Sequence, residues 1–341
     1  GLDGEGATLV MRSGSKICDD STGSRKGGYA AIFNHGGTVT AEEGSSIEAI
    51  DGRAIYADNG GVTTFSGAIK NITSNEVMKN AVAGAANSDF AGVAFYGPDH
   101  TSFTLGKGGV IADIKSHDKS AADVVLYLGV ADFVMEAGSE MYDIQACGIA
   151  VMNGATVDIA GSVHDCSTGT VPFRMRNDSS SFYLHEGGEL TNISTSDPGI
   201  IYMNMGRPTI EIAGTIDTCN KPALYISNNG SRKDGTVTVT ETGVITNITG
   251  DAIKASDPST VTIRGTVTNC SGYAVEYNPK GTGSLLKIEE SAHIAGNHNG
   301  GAQIKVAGSL SATDATEHAE IAPGAIEGNT TIDLTPFDVT L

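Results

Sequence analysis

Along this chain the apolar residues come in short runs of period two. Glycine, asparagine or aspartate cuts off each run, and the runs return in the same order every two dozen residues or so. One recurring block is six residues long: a small residue, an aliphatic two places on, then Asn, Asp or Thr, then Ile or Cys. It reads Gly67, Ile69, Asn71, Ile72 and again Gly109, Ile111, Asp113, Ile114. It returns as Gly188, Leu190, Asn192, Ile193 and as Gly214, Ile216, Thr218, Cys219. Two more copies are Gly243, Ile245, Asn247, Ile248 and Gly265, Val267, Asn269, Cys270, with looser ones from Ser15, Ser45, Ser139 and Gly161.

Two further segments keep step with this block. An apolar run follows it, as at Ile55–Tyr56, Phe95, Leu126–Tyr127, Ile201–Tyr202 and Leu224–Tyr225. An alternating pair precedes the next copy, as at Phe103/Leu105, Val157/Ile159, Ile210/Ile212 and Val261/Ile263, usually with a polar residue between. That alternation marks a strand with one wet face. The pattern predicts an all-β solenoid, a right-handed parallel β-helix with three short strands per coil and about 11–13 coils. A coil alone is too small to bury its aliphatics, whereas stacking at about 4.8 Å lines them up inside and pairs every strand edge. One domain over 1–341 is expected, with an inserted loop at 74–89 and irregular coils over 308–341.

The column before the Ile or Cys holds Asn71, Asn192, Asn247, Asn269, Asp113, Asp143 and Asp165, residue types that tolerate a left-handed turn and can bond from coil to coil. It creates Asn-x-Ser/Thr sequons at all four asparagines. Repeated turn chemistry accounts for these asparagines, and the sequons read as its by-product. Cys166, Cys219 and Cys270 replace isoleucine in the last column and read as buried small hydrophobes. Cys18 and Cys147 lie off that column.

Composition narrows the function. Net charge is −19, which argues against nucleic acid. No stretch approaches the roughly 20 apolar residues of a spanning helix, so membrane insertion is not expected. Histidine spacing gives no metal site and no cofactor motif is present. No catalytic set emerges: Asp19–Asp20 and the His117–Asp118 and His164–Asp165 dipeptides read as turns. Arg174 and Arg176, two apart on one strand, with Arg207 about a coil on, form the clearest basic spot in an acidic chain and are the candidate ligand-binding residues.

With these columns in view, the chain resembles the right-handed parallel β-helix proteins of the pectin-lyase-like superfamily, and among them the repetitive β-helix regions of bacterial surface and adhesin-like proteins. The resemblance spans Thr8 to Leu334 and rests on architecture. Of the motifs of the family's polygalacturonases only an Asp-Asp pair is found, and the tryptophan-bearing motif of its pectate lyases is excluded by the absence of Trp. The resemblance implies a secreted or cell-surface bacterial module, part of a larger polypeptide, non-enzymatic, adhesin-like or a stalk. Its partners would be host or matrix glycan or protein. A polysaccharide lyase or glycoside hydrolase, and a phage tail-spike-like fibre, are the alternatives.

Overall fold

The computed structural model describes residues 1–18, 30–74, 91–116, 123–176, 179–204, 206–227, 235–256, 259–278, 285–306, 319–322, 324–326 and 332–333. The chain is an all-β parallel β-solenoid, and the helical structure among the described residues is a single 3-10 turn at His298–Gly300. It falls into two compact units, Gly1–Arg174 and Met175–Leu341.

In the first unit one side consists of Lys16–Cys18, Ser46–Asp51, Ala68–Thr73, Val110–Lys115, Glu140–Gln145 and Ser162–Thr168, each parallel to the one before. A second side stacks Ala30–His35, Arg53–Asp58 and the first halves of Ala91–Leu105 and Asp123–Met135, then Gly148–Met152. The third stacks Thr8–Met11, Thr38–Ala41 and Val62–Phe65 on the second halves of those same long strands, then Thr156–Ile159. Ala91–Leu105 thus rounds a corner, with register shifts between Gly92 and Phe95 and between Asp99 and Thr101.

The second unit repeats the plan. Glu189–Thr195, Thr215–Asp217, Val244–Thr246, Thr266–Thr268 and His293–Ala295 form one side. Ile201–Met203, Leu224–Ile226, Ile253–Ala255, Val275–Tyr277 and Ile304–Val306 form the next. Ser181–Leu184, Thr209–Ile212, Gly235–Val239, Ser259–Ile263, Leu285–Ile288 and Ala319–Ile321 complete it. Past residue 308 the described segments keep this plan: Ala319–Ile321 pairs with Leu286–Ile288, and Ile332 with Ile304.

The repeating aliphatics become interior files. Ile47, Ile69, Ile111, Met141 and Val163 are direct partners in successive coils, as are Ile50, Ile72, Ile114 and Ile144. In the second unit Leu190, Ile216, Ile245, Val267 and Ile294 do the same. All are at most 2% exposed, and each is worth about 1.5–3 kcal/mol relative to exposure.

Two features of the six-residue block now have causes. Its aliphatics stand three apart, which would put them on opposite faces of a regular strand. The residue between them is the correction. Ala49, Asn71, Asp113, Asp143, Asp165, Asn192, Thr218, Asn247, Asn269 and Gly296 all have φ between +49° and +67°. In the first unit the ladder skips this residue on both strands at once, a paired bulge, as at Asn71 and Asp113 between the pairs Lys70–Ala112 and Ile72–Ile114, and the left-handed backbone turns the next side chain back inside. The small residue that opens the block is set by close approach. A Cβ at Gly109 would lie 2.6 Å from the Phe65 carbonyl oxygen, and one at Gly161 2.5 Å from that of Ser139. Where serine stands instead, its hydroxyl is absorbed: Ser45 and Ser139 donate to the carbonyls of Glu42 and Glu136 at 2.6 Å.

Candidate functional site

Outward-facing residues form columns too, one side chain per coil. In the second unit the middle residues of five paired strands are Tyr202, Tyr225, Lys254, Glu276 and Lys305. Glu276 is gripped from both sides, with Lys254 Nζ 2.5 Å from one carboxylate oxygen and Lys305 Nζ 3.0 Å from the other. Asp251 lies beside it and accepts the Tyr273 backbone N–H at 2.8 Å, with Lys254 Nζ 4.0 Å away. Tyr273 packs on His298, ring centres 4.3 Å apart.

Burial and partners push the two carboxyl groups in opposite directions. Burial raises Glu276, but its bonds to Lys254 and Lys305 outweigh this and bring it down to about 2. Asp251 is raised, by burial first and by Glu276 beside it, against the opposing bond from the Tyr273 N–H. Lys254 is raised: burial lowers it, but Glu276 more than compensates.

A carboxyl pair driven apart in this way is a common acid/base signature. Here the geometry opposes that use. Asp251 and Glu276 are within hydrogen-bond reach of each other, closer than the roughly 5–9 Å that glycosidase pairs need. Both Glu276 oxygens carry an ammonium group, and Lys254, with its proton held more tightly, stays protonated and has no free amine to take up a proton. The cluster is a charge-balanced ladder.

The corresponding column in the first unit is aromatic: Phe33, Tyr56, Tyr96 and Tyr127 stack at 4.9, 5.4 and 4.8 Å with planes within 21° of parallel. Rings stacked along the column spend their faces on one another, so this is no platform for a sugar ring. Phe33 and Tyr56 are half-buried, while Tyr96 and Tyr127 are buried. Beside them Arg53 is 1% exposed, its Nε donating to the Gly92 carbonyl at 2.8 Å and its guanidinium 4.5 Å from the Tyr96 ring centre. Burial takes its pKa down to about 10, although Tyr96, Tyr56 and Asp123 favour the charge. Ser74 donates to the buried Asp123 at 2.6 Å, so a polar corner runs through three successive coils. Sequence reasoning missed this corner. Its one signal was an arginine opening the run that continues Ala54, Ile55.

The predicted basic spot is placed as follows. Arg174 is the part-exposed centre of Phe173–Met175, between two buried neighbours, and closes the first unit. Arg176 and Arg207 belong to the second unit, part-exposed and exposed respectively. None of the three is without a partner. His164 and Asp165 bond to each other at 2.9 Å, and His164 stacks on Tyr142. Asp19–Asp20, His117–Asp118 and residues 75–89 of the expected loop lie outside the described residues.

Cys166, Cys219 and Cys270 sit in the interior file at 0–1% exposure, and burial pushes the thiols of Cys219 and Cys270 up to about 12 and about 11. Cys147 is buried as well, its sulfur 3.2 Å from the Thr170 hydroxyl. Among the described residues no group of three or more His, Cys, Asp or Glu is placed to hold a metal, and no helix is long and apolar enough to cross a membrane. One hollow of about 260 Å³ is bordered by Val62, His100, Ser102 and Asp132.

These features define the class as a parallel β-solenoid with column-built faces. No protein-family model and no curated protein matches the chain.

Proposed function

We propose that this chain is a non-enzymatic surface module of an exported bacterial protein, adhesin-like or a stalk, which works through its flat faces. One observation carries the reading. The outward charged and aromatic side chains of the second side satisfy one another along the columns, as in Lys254–Glu276–Lys305, and do not converge on a hollow. Such a surface suits contact with an extended partner, a matrix glycan or protein. The acidic balance of the chain favours a partner that is not a polyanion. The experiment is binding of the purified chain to arrays of host, plant and microbial glycans and to matrix proteins, with tethered and free chain compared. Absence of binding on every surface would leave only the stalk role.

A polysaccharide-cleaving enzyme is the second reading: Asp251 and Glu276 have the opposed shifts of an acid/base pair, although both Glu276 oxygens are held by lysines. Incubation with the same glycans, followed for new reducing ends or unsaturated products, tests it. Cleavage lost in Glu276→Gln would replace the first reading with this one.

A further inference from the structure

The asparagines of the bulge column are explained by their backbone: φ near +50° favours Asn, Asp and Gly there. That explanation says nothing about the residue two places on. In the four coils with asparagine in the column, at Asn71, Asn192, Asn247 and Asn269, that residue is Thr73, Ser194, Thr249 and Ser271, a hydroxyl every time. In the seven copies of the repeat with another residue there, at Asp19, Ala49, Asp113, Asp143, Asp165, Thr218 and Gly296, it is Ser21, Asp51, Lys115, Gln145, Ser167, Asn220 and His298, a hydroxyl twice. Turn chemistry alone gives no reason for this coupling. Among the hydroxyls, Ser271 has a structural task as well, accepting the Gly250 N–H at 2.8 Å.

The geometry of the corner fits the coupled pair. All four asparagines are exposed, the Ile or Cys after each is buried, and the hydroxyl residue comes back out, exposed at Thr73, Thr249 and Ser271 and part-exposed at Ser194. Amide and hydroxyl therefore stand on the same outward side with nothing but a buried side chain between them. We propose that Asn71 in the first unit and Asn192, Asn247 and Asn269 in the second are acceptor sites for N-linked glycan, each at the same corner of its own coil. The donor is a polyprenyl-pyrophosphate-linked oligosaccharide. In the transfer the asparagine amide nitrogen bonds to the anomeric carbon, the bond from that carbon to the pyrophosphate oxygen breaks, the amide loses a proton and polyprenyl pyrophosphate leaves. At Asn247 the amide must first release Asp217, to which it now donates at 2.8 Å. Asn247 and Asn269 directly follow the paired Thr246 and Thr268, so they lie in neighbouring coils about 4.8 Å apart, too close for two glycans to lie side by side.

The test is to incubate the folded chain with a purified oligosaccharyltransferase and a lipid-linked oligosaccharide, then map glycopeptides by mass spectrometry. Glycan is expected at the four asparagines, with single molecules carrying it at Asn247 or Asn269 but not at both. Asn71→Gln and Thr73→Ala should each empty only the first site. A double change, Asp113→Asn with Lys115→Thr, should create a fifth acceptor in the next coil. The proposal is overturned if the folded chain takes no glycan at these positions, whether or not the unfolded chain does, and equally if glycan is added without regard to the hydroxyl.

Discussion

Thr249 donates its backbone N–H to the carbonyl oxygen of Cys219 at 2.8 Å, although these residues belong to successive copies of the repeat. The same bond recurs from Asn220 to Ile193, from Ser271 to Ile248 and from His298 to Cys270. It fastens each interior residue of the last file over the one before, and it makes a cysteine and an isoleucine equivalent: both are apolar plugs under the same corner.

A single deletion in a file should therefore be felt as a cavity between two fixed coils. Ile69→Ala, at a position 0% exposed between Ile47 and Ile111, is expected to cost about 2–5 kcal/mol. Equilibrium denaturation in urea measures it. A loss below 1 kcal/mol would mean that the files are not tightly packed.

The bulge column offers a gain of stability. Ala49 holds φ +56°, where a Cβ without local hydrogen bonding is strained by roughly 1–2 kcal/mol. Ala49→Gly and Ala49→Asn should both raise the denaturation midpoint, and Asn71→Ala should lower it. An Ala49→Asn variant no more stable than the parent would refute the strain argument.

Glu276 has its folded pKa at about 2, below the ordinary value of 4.5. A depressed carboxylate contributes stability above its unfolded pKa and loses it as pH falls through the folded value. Asp251, raised, works the other way: its contribution is present below its unfolded pKa and lost as pH rises. Glu276→Gln should flatten the fall in stability between about pH 4.5 and 2, while Asp251→Asn should stabilise the chain at neutral pH. Denaturation midpoints against pH decide both.

Thiols raised by burial do not form thiolate at ordinary pH, so Cys219 and Cys270 should resist a thiol reagent at pH 8 in the folded chain and react fully in denaturant. Rapid labelling of either cysteine in the native chain would place it outside the core.

Much of the fold was legible because its determinants are local and repeated. Ile47 and Ile69 in the first unit, and Ile216, Ile245 and Val267 in the second, announce a file simply by returning every 22 to 29 residues, and Cys219 could be placed by substitution for isoleucine. The role of Asn71 was half legible: residue type pointed to a left-handed turn, but the bulge that returns Ile72 to the interior is a matter of register. The site residues were less legible. Arg174, Arg176 and Arg207 stood out by charge alone, and charge does not report which neighbours a coil brings up from behind.

By itself the sequence determined that the chain stacks short parallel strands, which residues go inside, and where a left-handed residue must stand, since each depends on periodicity and side-chain type. Only the tertiary structure decided that Lys254, Glu276 and Lys305 form one ladder and that Arg53 is buried against Tyr96. Those relations join residues of different coils, and a difference of one residue in a loop would change them while leaving the repeat intact.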